Sequence, residues 1–439
     1  DAYMLGRLAV GTPRLSLPQH GEVLRRAVVQ GVQVIDTAAS YGAGSSEALI
    51  GQVLSELPDL APSVKIISKF GYFAEDSGRA VPGSVHVSPG LRHALGPEFH
   101  REELRRSLER LGRDRLDVWL VDSPEEAIRS EVQRIFAGGD ATPEALDSTR
   151  TRLLDTLHET FSVLEGAVAE GLIGSYGVHS PALVLAEEDP LHLRWRDLLA
   201  VSGEHLRHLQ FPVNVLEPHG VSVAQEAALF GLQVGSTRPL TALLASPVQT
   251  WQRIADLAED GSRPPEGYMQ VCQEALDRFR FDLPTDRDPT PDEVELFQAC
   301  RWIQTLIQDM NQQLVQFGSV AQFEQELKES ILPMLNDKFE ELDADSAALL
   351  QAFFEQFHAM VRYHCAVEMR KRVESEACPS GAHHLGENES LQHRALSWVL
   401  EQPGIATVVL GVTASAHVDQ ALEIMARQSA SESTGGTRR

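Results

Sequence analysis

Basic residues are scarce in this 439-residue chain: 38 Lys and Arg stand against 63 Asp and Glu, a formal net charge of −25. A polyanion gains nothing from that balance, so neither nucleic acid nor an anionic membrane surface is an expected partner, whereas a basic protein surface is compatible with it. Long apolar runs are missing too, which excludes membrane insertion as a helix. Cysteine is sparse and scattered: Cys272, Cys300, Cys365 and Cys378 lie far apart in the second half, without a Cys-x-x-Cys pair. Reduced structural thiols in a reducing compartment are expected. Cys378, His383 and His384 share a Gly/Pro-rich loop. They lack the second ligand pair that zinc needs, so no metal is expected. The chain begins at Asp1 rather than Met. Removal of a mitochondrial or chloroplast transit peptide is one reading of that start, a cytoplasmic protein the other.

What is present is globular: 43% of residues are hydrophobic, enough for one large α/β domain with an appendage, or for two domains. Short apolar segments alternate with amphipathic stretches. Eight read as strands: Leu8–Gly11, Val32–Asp36, Val64–Lys69, Leu116–Val121, Ile173–Val178, Leu209–Val213, Leu232–Gly235 and Thr407–Leu410. Helices are predicted between them, for example over His100–Leu111, Arg152–Glu170 and His393–Glu401. Eight alternations predict a (β/α)₈ barrel with its chemistry at the carboxyl ends of the strands. The barrel is assigned to residues 1–240 and 390–428. Asp122 to about Ser148 reads as a long loop. Residues 241–389 read as an inserted helical subdomain over the active-site face, with helices Pro247–Glu259, Tyr268–Phe281, Asp292–Val315, Gln322–Lys338 and Ala347–Glu374. Residues 429–439 are a flexible tail by composition.

Val34-Ile-Asp-Thr-Ala-Ala-Ser-Tyr-Gly-Ala-Gly-Ser-Ser-Glu carries an aspartate, Asp36, at a strand end and a tyrosine, Tyr41, five residues on. The next strand, Val64-Lys-Ile-Ile-Ser-Lys-Phe-Gly-Tyr72, ends near Lys69. Such a trio suits proton delivery to a carbonyl: the tyrosine is the acid, the lysine lowers its pKa, and the aspartate keeps the lysine charged.

In these two contexts, and over about residues 5–240 and 390–425, the chain resembles the aldo-keto reductase family. The resemblance implies a barrel enzyme with NADP(H) as cofactor, a small carbonyl substrate, and Asp36, Tyr41 and Lys69 as three of its four catalytic residues. Other positions depart from the family pattern. The family's strand-four histidine is replaced by Asp122 in Leu116-Asp-Val-Trp-Leu-Val-Asp-Ser-Pro124. An ionised Asp122 opposes a nearby oxyanion; a protonated one donates a hydrogen bond to it, as in family members that reduce an enone with a glutamate there. By the resemblance, His179 and Ser180 in Gly177-Val-His-Ser180, together with Gln210, stand where the nicotinamide carboxamide is held. Thr237 replaces a stacking tyrosine. Arg238 adds a cation that binds a phosphate or carboxylate, or pairs with an acidic residue of the insertion.

At the adenosine end the aligned positions are Gly411, Val412, His417 and Ala421, none a strong cation. Backbone N–H groups from Thr413 to Ala416 remain as a weak phosphate site. Each charged hydrogen bond lost is worth about 1.5–3 kcal/mol, so weakened or absent NADP(H) binding is expected. Two readings follow. One is an oxidoreductase of altered or weakened activity on a carbonyl or enone. The other is an inactive barrel serving as a structural or regulatory subunit, with the insertion as docking surface for a protein partner.

Overall fold

The computed structural model describes residues 5–139, 142–245, 249–254, 264–338, 342–377 and 390–435. It divides into two compact units, residues 1–239 with 395–439, and residues 240–394. The first unit is a closed barrel of eight parallel strands: β1 (Leu8–Gly11), β2 (Val34–Asp36), β3 (Lys65–Phe70), β4 (Leu116–Asp122), β5 (Ile173–His179), β6 (Leu206–Pro212), β7 (Gln233–Thr237) and β8 (Ile405–Gly411). Each pairs with its sequence neighbour and β8 returns to β1, with Leu8 opposite Val408 and Gly11 opposite Gly411. Runs of Val, Ile and Leu are what a strand covered on both faces requires.

Alternate residues of a strand share a face. Ala9, Val34, Ile67, Val118, Leu120 and Val409 pack into one buried cluster. The next position on that face, toward the carboxyl end, is Asp36 on β2, Lys69 on β3 and Asp122 on β4. Apolar layers thus lie beneath a polar one, and the polar one is at the mouth.

The barrel helices are α1 (Gly21–Val29), α2 (Ser45–Ser55), α3 (Pro97–Leu111), α4 (Glu126–Ala137), α5 (Pro143–Ala169), α6 (Trp195–Val201) and α7 (Gly220–Leu229). Two features depart from expectation. The segment 122–148 is not a loop: it holds α4, whose Ile128 and Val132 are buried one turn apart. It also holds the start of α5, capped by the Thr142 hydroxyl with Pro143 in the first turn. After β3, the strands Tyr72–Ala74, Val85–Ser88 and Leu91–His93 make a small antiparallel sheet that the sequence reading left out.

The second unit opens with an antiparallel hairpin, Thr241–Ala245 against Gln249–Arg253, where a helix from Pro247 was expected. Thr, Leu and Trp accept extended backbone, and the facing strand supplies ladder bonds that outweigh a weak helical pattern. Residues 255–263 of that predicted helix lie outside the described residues. Then come α8 (Tyr268–Arg278), α9 (Pro291–Gln313), α10 (Val320–Glu326), α11 (Leu332–Lys338) and α12 (Ala344–Ala377). The start of α9 is fixed by a capping box between Thr290 and Glu293 with Pro291 at its first position. Between α10 and α11 the ladder widens to a π-turn over Leu327–Ile331. Pro333, which has no N–H to donate, follows within a turn. The core of this unit is aromatic: Phe323 and Phe357 have ring centroids 5.2 Å apart, with Phe317 and Phe353 packed against them.

Helix α13 (Leu391–Glu401) leads into β8, and α14 (Ser415–Gly435) follows it. That last helix runs into the segment read as a loose tail, each added residue needing only one more ladder bond once a helix is nucleated. Among the described residues no helix is long and apolar enough to cross a membrane.

Candidate active site

Three non-glycine residues have left-handed backbone among those described: Ala43, Ser123 and Arg238, with φ of 54°, 48° and 54°. All follow carboxyl ends of barrel strands, in the turns after β2, β4 and β7. Strain of this kind persists only where the surroundings hold it, and it gathers at functional sites.

Asp36 and Lys69 form a buried ion pair, 2% and 1% exposed. Lys69 Nζ also donates to the Thr37 carbonyl at 2.9 Å. From the far wall of the barrel, Gln210 on β6 donates Nε2–H to the other Asp36 oxygen at 2.9 Å. Tyr41 lies above, half-buried, with Lys69 Nζ 5.2 Å from its ring centroid. Its turn needs positive φ at Gly42 and Gly44, and a Cβ on Gly42 would meet Ser16 Cβ at 2.7 Å. Burial pushes the Tyr41 phenol up to about 12; Lys69 pulls it down, and Asp36 and Asp122 work against that pull. The expected lowering by Lys69 is therefore present but outweighed. Burial also opposes the ammonium of Lys69, yet Asp36, Tyr41 and Asp122 hold its pKa above the ordinary lysine value. The lysine is charged.

Asp122 and His179 are register partners on β4 and β5, and His179 Nδ1 lies 2.8 Å from Asp122 Oδ1. Ser123 Oγ donates to the same oxygen at 3.1 Å, and the Ser123 N–H to the His179 carbonyl at 2.7 Å. Burial pushes the Asp122 carboxyl up, but the facing imidazole, then Lys69 and His93, bring it below the ordinary aspartate value. Of the two forms weighed from the sequence, these contacts favour the ionised acceptor.

The other expected cofactor contacts divide. Ser180 is already engaged, donating to Glu125 Oε2 at 2.7 Å and accepting from the Ala182 N–H at 2.9 Å. Thr237 Oγ1 and Gln210 Oε1 are buried without a hydrogen-bond partner. Arg238 pairs with Glu217, a barrel residue after β6, at 3.2 Å. Gly411 is exposed at the end of β8, while Val412 and Ala421 are buried. The Thr413 N–H is taken by His417 Nδ1 at 3.3 Å. Arg26 reaches this helix, but both its contacts, at 3.0 Å, go to Asp419. The orphaned Gln210 and Thr237 oxygens fit the carboxamide of a nicotinamide. At the end of β8, none of Gly411, Val412, His417 and Ala421 carries the fixed cation that a 2′-phosphate would pair with. No group of three or more His, Cys, Asp or Glu gathers as a metal site among the described residues. Cys378, His383 and His384 lie outside them. Cys272, Cys300 and Cys365 are buried free thiols.

Sequence reasoning missed Glu125, Tyr72 and His93, which stand behind Asp122. His93 Nε2 is 2.7 Å from the Asp122 carbonyl, and Tyr72 OH is 3.5 Å from Glu126. No sequence signal pointed to them, since they come from the unpredicted small sheet and from α4. Burial pushes the Glu125 carboxyl up to about 7, with Ser180 acting the other way. The native state thus holds this proton more tightly than the unfolded chain does, and the stability gained below about pH 4 is lost as pH rises through about 7. Glu125→Gln removes that loss. We expect it to stabilise the fold by up to about 3 kcal/mol above pH 7 and to leave it unchanged near pH 4, measured by denaturant unfolding at both pH values. Equal effects at the two would disprove the buried titration.

Residues 4–188 match the sequence profile of the aldo/keto reductase family. The chain is 31% identical over 164 residues to the NADH-specific methylglyoxal reductase of Escherichia coli (strain K12), covering 33% of this chain and 48% of that protein. It is 25% identical over 185 residues to the 6-dehydroglucose reductase of Agrobacterium fabrum (strain C58 / ATCC 33970), covering 39% and 58%. The matches thus span about half the length of these curated relatives. Among solved structures, the glycerol dehydrogenase from Gluconobacter oxydans is similar with a TM-score of 0.44 at 16% identity, over 96% of this chain and 92% of that one. Asp36, Tyr41, Lys69 and Asp122 all lie inside the stretch, residues 4–188, that matches the aldo/keto reductase family profile.

Proposed function

We propose that this protein is an oxidoreductase that reduces a small aldehyde or ketone with NADH. The observation that carries the reading is the buried Asp36–Lys69–Gln210 layer beneath Tyr41 at the carboxyl ends of the strands. The nicotinamide, when bound, supplies the hydride. A carbonyl oxygen lodged against Tyr41 takes the phenolic proton. Lys69, beneath the ring, stabilises the phenolate that remains. Asp36 keeps Lys69 charged, and Gln210 fixes the carboxylate. Gln210 Oε1 and Thr237 Oγ1 would hold the carboxamide, each then gaining the partner it lacks. The ionised Asp122 argues for a carbonyl over an enone, because it offers no proton of its own.

The missing cation at the adenosine end favours NADH over NADPH. One charged hydrogen bond is worth about 1.5–3 kcal/mol, so we expect NADH to bind at least about tenfold tighter, measured by quenching of protein fluorescence. A preference for NADPH would refute the assignment. Methylglyoxal is the first substrate to try, given the name of one relative. Failure of both dinucleotides to bind at millimolar concentration would leave the barrel without a hydride source. The reading would then pass to a structural or regulatory subunit that docks a protein partner.

A further inference from the structure

Tyr41 stands at the head of a strained stretch of backbone. Gly42, Ala43 and Gly44 are left-handed in succession, with φ of 56°, 54° and 93°. Ala43 carries a Cβ, and a side chain keeps that conformation only where its surroundings impose it. Hydroxyls hold part of the turn. Ser45 Oγ donates to the Gly42 carbonyl at 2.6 Å, and Ser46 Oγ lies 2.8 and 2.6 Å from the carbonyls of Thr12 and Leu15. A salt bridge holds the rest. Glu47, fully buried in the first turn of α2, accepts from Ser68 Oγ at 2.6 Å and from the Arg110 guanidinium at 2.7 Å. Ser68 adjoins Lys69 on β3, so one carboxyl group ties the helix behind Tyr41 to the strand that carries the lysine. Arg110, on α3, is itself fixed at both ends. A Cβ on Gly51 would meet its carbonyl oxygen at 2.5 Å, and a Cβ on Gly44 would meet its Cδ at 2.8 Å. Glu103 takes the same guanidinium at 3.2 Å, and Arg79, between the first two strands of the small sheet, donates to the other Glu103 oxygen at 2.6 Å.

We propose that Glu47 and Arg110 are positioning residues for the proton donor: their salt bridge clamps the left-handed turn so that Tyr41 stays seated above Lys69. The proposal rests on the reductase reading, in which Tyr41 is the acid. Neither side chain touches the reacting atoms; they act through the turn on one side and through Ser68 on the other. A tyrosine on a loosened turn keeps its hydroxyl and loses its aim, and a misplacement of about 1 Å is enough to slow a reaction about a hundredfold.

Two measurements test it. Removing Arg110 alone would strand the buried Glu47 carboxyl, so Glu47→Gln/Arg110→Met is the main variant and Arg110→Lys the conservative one. Hydrogen–deuterium exchange with peptide mass spectrometry reads the amides of Tyr41, Ala43 and Ser45, all hydrogen-bonded within the turn, without any turnover. They should exchange at least about tenfold faster in the double variant, while the amides of β4 to β6 stay as in the wild type. Arg105→Ala, on an exposed face of the same helix, should leave both sets unchanged. In turnover the double variant should lower kcat about tenfold to a hundredfold with the KM for NADH unchanged, and Arg110→Lys should keep part of what the double variant loses. Turn amides that exchange as in the wild type, a barrel loosened throughout, or a wild-type kcat in the double variant would each overturn the proposal. A wild type that reduces no carbonyl sinks the reductase reading instead, and exchange at the turn still decides whether the salt bridge holds Tyr41 in place.

Discussion

Replacing Lys69 with methionine should destabilise the barrel by about 3–5 kcal/mol, because it leaves the Asp36 carboxylate charged and unpaired in a site 2% exposed. Gln210 would remain as a donor to that carboxylate, and one neutral amide does not replace an ammonium. The Asp36→Asn/Lys69→Met double variant should recover much of the loss, since no buried charge is stranded. Denaturant unfolding of the four proteins closes a double-mutant cycle. If Lys69→Met loses less than about 1 kcal/mol, or the double variant is worse than the sum of the singles, the ion pair is not the element that balances this layer. The same experiment separates inheritance from use, because a pair kept only to hold the barrel together would affect stability and leave nothing to see in turnover.

Tyr41→Phe should cut kcat for carbonyl reduction by about a hundredfold to ten-thousandfold, the range for losing a positioned acid. It removes a hydroxyl from a half-buried ring and leaves the ring and the Gly42–Gly44 turn in place. Unfolding should therefore shift by less than about 1 kcal/mol. A variant with wild-type turnover would take Tyr41 out of its role. Burial holds this phenol near 12, so its own deprotonation contributes no pH dependence across the neutral range, and any decline there points to another group.

The barrel was readable because most strands carry Val, Ile or Leu in short apolar segments, and eight such segments alternate with helical spacing. Asp36, Tyr41 and Lys69 were readable for a related reason: each lies at or just past a strand end, where alternation dictates which way the strand residues face. The pairings were not. Asp122 meets His179 only because Val118 is in register with Ser175, and Gln210 meets Asp36 only because the sheet closes and brings β6 opposite β2. Neither fact is written in the order of residues. Ser180 looked free for a ligand because its partner, Glu125, belongs to a stretch read as loop. The hairpin from Thr241 to Arg253 was mistaken for a helix because ladder bonds come from a partner strand, which local periodicity does not record.

Closure has a consequence for synthesis. The last strand, Ile405–Gly411, completes the sheet by pairing with Leu8–Gly11 on one side and Gln233–Thr237 on the other. While the ribosome makes residues 238–404, the first seven strands can form only an open sheet with two bare margins, one at either end of what has already emerged. Unpaired strand margins of this kind invite pairing with other chains. The long intervening segment therefore sets how long the nascent barrel stays vulnerable, and a shortened insertion should relieve its demand for chaperones.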